Sequence, residues 1–209
     1  MREDKTRRRS EQELNLLEKE RTNPYRTTLF FGLVGSSLLF LSLAIMLIIW
    51  VSHNPPVENF RFPREFTLST LILLGSSYLL TLVRKYYSED NDRGMLMSLT
   101  GSMVMAGLFA IFQLLAWNAM IEQGFDLEKD ISITFIFGIS AVHFLHAGGG
   151  MIYMFYLWLK SFDIWNDPVR SLLYFSNKYE GVRLELFSNY WHVVNGLWLF
   201  VFLTFLFTF

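Results

Sequence analysis

Residues 190–209 read YWHVVNGLWLFVFLTFLFTF and close the sequence. No side chain in this stretch carries a formal charge, and an apolar run of this length is typical of a helix that spans a membrane. Lipid cannot hydrogen-bond the polar side chains near the start of the run, so His192 and Asn195 are expected to face protein. The stretch therefore predicts a membrane helix with one lipid face and one protein face.

The composition of the whole chain indicates a polytopic membrane protein. Its 209 residues are 52% hydrophobic and 17% aromatic, which is far more apolar than a soluble domain of this size. The absence of cysteine removes disulfides, thiolate metal ligands, iron–sulfur clusters and covalent c-type haem attachment. We expect one membrane domain at 29–209, preceded by a charged tail at 1–28.

Five apolar segments predict an all-α integral membrane fold, a bundle of five transmembrane helices. Pro55-Pro56 separates the first two segments, because proline ends a helix. The loop at 160–188, between the fourth and fifth segments, is predicted to be the longest, with Asp167-Pro168 as a turn signal. The predicted spans are about 29–51, 66–83, 95–121, 131–159 and 189–209.

Lysine and arginine are distributed unequally between the two sides of this predicted bundle. The side with the tail and the second and fourth loops carries 15 of the 18, and the other side carries Arg61, Arg64 and Lys129. Because Lys and Arg accumulate in cytoplasmic loops, the N-terminus is predicted to be cytoplasmic and the C-terminus periplasmic.

The tail is expected to be largely solvated. Its alternative is a short amphipathic helix at 11–20, with Leu14 and Leu17 towards the bilayer surface. A cleaved signal peptide is not expected, because the charged leader is long and the residues after Trp50 offer no small-residue cleavage site.

Small residues predict where helices approach each other closely. Gly148-Gly149-Gly150 on the fourth span lowers helix propensity, which a close neighbour there would explain. On the third span, small residues recur every four positions, at Ser98, Ser102, Ala106 and Ala110.

The predicted spans contain no Asp, Glu, Lys or Arg, which disfavours proton relays, ion pathways and secondary transport. The histidines His143 and His146, on one face of the fourth span, and His192 are therefore the titratable candidates. Residues three apart cannot ligate opposite faces of one haem, and no carboxylate or thiolate completes a metal site. Hydrogen-bonded packing histidines are the favoured interpretation, with contact to a quinone or a lipid head group as the remaining one.

Two motifs point to a known family. The terminal Tyr190-Trp191-His192-Val-Val-Asn195, followed by Trp198-Leu-Phe, resembles the signature of cytochrome c oxidase subunit III. The fourth span is similar to that family's His-x-x-His-x-x-x-Gly motif, with these three residues here at His143, His146 and Gly150.

Two further segments extend the resemblance to the chain from about Leu29 onward. The third span, from Gly107 through Gln113 to Trp117, is similar to the family's Gly-x-x-Phe-x-x-x-Gln segment, and 73–77 is similar to its Leu-x-x-Ser-Ser segment. The length resembles the short, five-helix bacterial form. The matched residues that we expect to serve in packing or lipid contact are Gln113, Trp117, His143, His146, Gly150, Tyr190, Trp191, His192, Asn195 and Trp198.

This chain departs from the family at three acidic positions. Ser37 stands where the family places a carboxylate in the first span, Ala116 replaces the glutamate of the third, and Asn195 replaces the aspartate of the terminal motif. Any proton-handling role of those acids cannot be carried over to this chain. Asn195 can still hydrogen-bond His192 or a neighbouring helix.

The resemblance implies a non-catalytic subunit of a proton-pumping haem–copper oxidase in the bacterial inner membrane. Such a subunit packs on subunit I, binds phospholipid and protects proton uptake near the cytoplasmic entrance. Haem and copper are expected in subunits I and II, and none in this chain. Subunit II, a small subunit IV and a respiratory supercomplex are further candidate partners, whereas nucleic acid is not expected.

The sequence leaves one alternative within the family and two from other classes of protein. The partner complex could be a quinol oxidase or a nitric oxide reductase, because subunit III does not identify the electron donor. The chain could instead be an oxidase assembly factor that leaves before the complex matures. A transporter or sensor that uses the three membrane histidines is the remaining alternative.

Overall fold

The computed structural model describes residues 24–54, 60–124 and 130–209, and these ranges contain helices and turns but no strand. Five of the described helices are long and apolar enough to cross a membrane, which confirms the predicted all-α membrane fold and indicates a multi-pass membrane protein. The helices are α1 (Pro24–His53), α2 (Arg64–Ser88), α3 (Asp92–Glu122), α4 (Ile131–Trp165), α5 (Pro168–Phe175) and α6 (Lys178–Thr208).

The first helix begins earlier than predicted. Proline is tolerated in the first turn of a helix, and α1 begins at Pro24, so residues 24–28 of the predicted tail are helical. The rest of the predicted tail lies outside the described residues, with its alternative amphipathic helix at Leu14 and Leu17. Pro55-Pro56 and Lys129 also lie outside them.

The prediction of a long loop at 160–188 is wrong, because helices occupy most of it. α4 continues to Trp165, α5 follows it, and α6 begins at Lys178. Asp167-Pro168 does interrupt the helix, but it also starts the next one. The Asp167 carboxylate accepts a hydrogen bond from the Val169 backbone N–H at 2.9 Å, and Pro168 occupies the first turn.

The chain divides within α1 into two units, Met1–Ser36 and Ser37–Phe209. In the described part of the first unit, the helix exposes large apolar side chains such as Phe30 and Phe31. Such exposure suits a helix surface that faces lipid.

In the second unit, α2, α3, α4 and α6 form a ring in which each helix packs against two of the others. A short turn at 89–91 joins α2 to α3, where the Asn91 side chain accepts a hydrogen bond from the Gly94 N–H at 2.8 Å and starts α3. The part of α1 after Ser36 adds one buried stripe, consisting of Phe40, Ala44 and Leu47.

Two serines join α2 to α3 inside the ring. The Ser76 hydroxyl donates to the Ser102 carbonyl at 3.0 Å, and the Ser102 hydroxyl donates to the Ser76 carbonyl at 3.3 Å. Ser98 and Ala106 are also buried on this side of α3, whereas Ala110 is half-buried. The predicted small-residue face therefore does bring two helices close together.

Candidate functional site

The candidate site is the protein face of α6, beginning with its contacts to α2. The Trp191 indole Nε1 donates to the Ser76 hydroxyl at 3.2 Å, and one turn later the Asn195 amide donates to the Leu73 carbonyl at 3.4 Å. The indole Nε1 of Trp198 donates to the Thr70 hydroxyl at 3.0 Å. These three α6 side chains are buried, so the contacts are shielded from both water and lipid.

His192 adds a fourth contact between the same two helices. Its Nδ1 is hydrogen-bonded to the Ser77 hydroxyl, and its Nε2 lies 3.1 Å from the Ser188 hydroxyl on α6 itself. We call the set of four contacts to α2 the α2–α6 ladder; it joins Trp191, His192, Asn195 and Trp198 to Ser76, Ser77, Leu73 and Thr70.

The spacing of the terminal motif explains why the ladder forms. Trp191, Asn195 and Trp198 are four and three residues apart, so they share one face of a helix. Their partners on α2 descend in steps of three as the α6 residues ascend, because the two helices are antiparallel.

His143 lies in a cluster of rings in the core. Its ring stacks on Trp198 at 4.6 Å between centroids and meets the edges of Phe109 at 5.8 Å and Phe40 at 6.2 Å. The side chain is fully buried, and neither ring nitrogen has a hydrogen-bond partner among the described residues. The prediction of a hydrogen-bonded histidine is thus wrong for His143, which packs by ring contacts.

The other two histidines are hydrogen-bonded, but the three do not share one environment. His146 Nδ1 is bonded to the Val142 carbonyl at 3.0 Å, and its ring contacts Phe40, as the His143 ring does. His192 instead lies between serines of α2 and α6. Across the described ranges, no group of three His, Cys, Asp or Glu side chains is placed to hold a metal ion.

Gly150 is where α4 and α6 approach most tightly among the three consecutive glycines. A Cβ at Gly150 would lie 2.7 Å from the Trp191 ring and 3.0 Å from the Tyr190 ring. The Tyr190 hydroxyl donates to the His146 carbonyl at 2.8 Å beside it. At Gly148 and Gly149, no described atom lies within 4 Å of an added Cβ, so among the described helices the close neighbour is found at Gly150.

Trp117, from the third-span motif, lies between α3 and α4. The Trp117 indole donates to the Ser140 hydroxyl at 2.8 Å, and its ring packs on Phe144 at 5.3 Å. Gln113 is fully buried, and its amide has no hydrogen-bond partner among the described residues. Ala116, at the family's glutamate position, is also fully buried.

Sequence reasoning missed a buried carboxylate at the start of α6. Glu180 is 7% exposed and pairs with Lys160 at 2.8 Å and Arg183 at 3.1 Å. Lys160 also lies over the Tyr174 ring, whose pKa is raised by burial and by the neighbouring Glu180 carboxylate. The available signal was Asn177-x-x-Glu180, which resembles a capping box.

Apart from the ion pair of Glu180 with Lys160, the buried contacts of Trp191, Asn195 and Trp198 join α6 to α2 through neutral hydrogen bonds. The donors of these bonds are indole and amide groups, and the acceptors are hydroxyls and a backbone carbonyl. Such a face is suited to holding α6 in a fixed register against α2 and α4.

Comparison with known proteins finds similarity to the family that the motifs resemble. Cytochrome c oxidase subunit 3 of Schizophyllum commune is 26% identical over 148 residues, which cover 71% of this chain and 49% of that protein. The subunit 3 of Pelomedusa subrufa is 25% identical over 149 residues, which cover 71% of this chain and 51% of that protein. No protein-family model matches the chain. The two relatives support a divergent subunit III, and the chain spans about half of their length.

Replacing Gly150 by alanine should lower the free energy of unfolding by about 1–3 kcal/mol, because the new methyl group overlaps the Trp191 ring. The matched control Gly149→Ala adds the same methyl group to open space and should be neutral or stabilising by up to about 1 kcal/mol. Denaturant titration of each variant in detergent micelles measures both. Equal effects at the two positions would contradict the close contact.

Substitutions of two histidines by leucine form a second matched pair of variants for the free energy of unfolding. His143→Leu should change the free energy of unfolding by less than about 1 kcal/mol, because it removes polar atoms that have no partner among the described residues. His192→Leu should be destabilising, because it leaves the Ser77 and Ser188 hydroxyls without their histidine partner. The same titration compares the two variants. A loss above about 2 kcal/mol for His143→Leu would contradict this prediction, because it would show that leucine does not replace the contacts of the His143 side chain with its surroundings.

Proposed function

We propose that this chain is subunit III of a bacterial haem–copper respiratory oxidase, with a structural and stabilising role. The observation that carries the proposal is the α2–α6 ladder. The residues of the terminal motif that resemble the subunit III signature are the ones that fix α6 against α2. Similarity to two curated cytochrome c oxidase subunit 3 proteins supports the same assignment.

In this proposal, catalysis belongs to the partner subunits. Subunits I and II hold haem and copper, reduce O2 to water and pump protons, while this chain packs on subunit I. The outward side of α4 suits such packing, because Leu145 and Ile152 are 74% and 75% exposed. Gly149 lies between them and leaves room for a close neighbour.

A bound phospholipid is the second part of the proposal. A groove of about 310 Å³ runs between α4 and the part of α1 after Ser36, and its lining is almost wholly apolar. An acyl chain matches a groove of that chemistry. The lining residues are Leu43, Ile131, Thr134, Phe135, Gly138, Ile139 and Val142.

The proposed orientation places the N-terminus in the cytoplasm and the C-terminus in the periplasm. The unequal distribution of Lys and Arg supports it, with 15 of 18 on the side of the tail. The ion pairs of Glu180 with Lys160 and Arg183 lie on the same predicted side, at the start of α6.

The geometry disfavours the histidine-based transporter or sensor. Such a mechanism needs titratable groups that communicate, whereas His143 is enclosed by rings and His192 is hydrogen-bonded to Ser77 of α2 and Ser188 of α6. Replacing the three histidines together would abolish flux in a transporter, but it would affect only assembly and stability in a packing subunit.

The proposal is tested by purifying the complex through an affinity tag on this chain. Mild extraction of native membranes should yield haem absorbance bands and one copy of the chain per oxidase, whereas the isolated chain should show no haem absorbance. The same tag on an unrelated multi-pass protein of that membrane serves as the control. Stoichiometric haem on the isolated chain would contradict a non-catalytic role, and a mature oxidase that lacks the chain would indicate an assembly factor.

A further inference from the structure

The short helix α5 exposes an apolar face. Val169, Leu172 and Leu173 are 68%, 71% and 67% exposed, and their spacing of three and four residues places them on one side of the helix. Tyr174, on the opposite side, is only 6% exposed. The helix therefore packs on the protein through one side and turns three large apolar side chains away from it.

Aromatic contacts fix α5 at the end of the membrane helices. The Tyr87 ring, next to the last residue of α2, lies 5.7 Å from the Tyr174 ring and 5.5 Å from the Phe175 ring. The Tyr87 hydroxyl also donates to the Asn177 carbonyl at 3.1 Å, between α5 and α6. α2, α4 and α6 all have an end here, so α5 lies at one end of these membrane helices.

The last turns of α4, which precede α5, also expose apolar side chains. Leu159, Phe162 and Trp165 are 46–47% exposed in the last turns of α4, three residues apart from one to the next. Tryptophan is enriched at the boundary between hydrocarbon and head groups. Only Asn166 and Asp167 separate Trp165 from α5, so the exposed apolar side chains of α4 and α5 follow each other closely along the chain.

The charges around α5 leave its apolar face neutral. Arg170 is the only charged residue of the helix, and its guanidinium is paired with the carboxylates of Asp163 and Asp167. These groups lie beside the face rather than on it, which suits the head-group level of a bilayer. A face that pointed into water would gain nothing from three adjacent aliphatic side chains.

We infer that α5 lies in the boundary between the lipid head groups and the acyl chains, with Val169, Leu172 and Leu173 inserted into the bilayer. Amphipathic helices at this depth bury an apolar face while their polar side remains hydrated. The interaction surface is the lipid bilayer itself, so the inference holds whichever complex the chain joins.

Because the chain contains no cysteine, a single introduced cysteine can carry a spin label that reports the depth of α5 in the bilayer. A nitroxide label on Leu172→Cys, and separately on Leu173→Cys, is placed in the full chain in vesicles of phosphatidylethanolamine and phosphatidylglycerol. Leu71→Cys, on the exposed side of α2, gives the lipid reference, and Glu89→Cys, in the turn after α2, gives the aqueous reference. Electron paramagnetic resonance then compares accessibility to oxygen, which enters lipid, with accessibility to a water-soluble nickel chelate.

The labels on α5 should show an oxygen-to-nickel accessibility ratio several-fold above that of the Glu89 label and closer to that of the Leu71 label. Agreement between the Leu172 and Leu173 positions excludes an effect of one substitution, and matching helicity by circular dichroism confirms that each variant folds. A ratio equal to that of the Glu89 label would overturn the inference in favour of exposure to water. Shielding from both reagents would also overturn it, because a protein partner or a second copy would then cover the face.

Discussion

Two hydrogen bonds through the Ser76 hydroxyl are the interaction on which the rest of the structure depends. The Trp191 indole donates to this hydroxyl, which in turn donates to the Ser102 carbonyl, so α6, α2 and α3 meet at one buried point. In lipid, helices gain little apolar burial by associating, so close packing and such hydrogen bonds decide which faces meet. The register of the α2–α6 ladder, from Ser77 to Thr70, follows from this point.

The sequence predicts the parts of this structure that depend on composition and leaves open those that depend on register. Long uncharged runs predict the five spans, and the polar groups of His192 and Asn195 predict a protein face on α6. The partners Thr70 and Leu73 were not predictable, because they follow from how two helices align. The long loop was a wrong prediction, because charged residues such as Glu180 exclude a segment from lipid without excluding a helix.

Two positions at which the motifs of the similar family carry an acid, Ala116 and Asn195, are neutral and buried in this chain. Ala116 and Asn195 are at most 2% exposed, so a carboxylate at either position would need a buried partner. The Asn195 amide donates to the Leu73 carbonyl, which an ionised carboxylate cannot do. The surroundings of Ala116 and Asn195 are thus matched to neutral side chains, in agreement with the proposed stabilising role.

The substitution Asn195→Asp tests this account most directly, through the free energy of unfolding measured against pH. At neutral pH, we predict a loss of about 3–5 kcal/mol, because a buried, unpaired carboxylate would face the Leu73 carbonyl. The loss should shrink as the pH falls, because a protonated carboxyl can donate to that carbonyl. Asn166→Asp, at an exposed amide that also donates to a backbone carbonyl, is the matched control and should have little effect. Stability equal to that of the parent chain at neutral pH would contradict the account, since it would show that the interior still accommodates the family's charge.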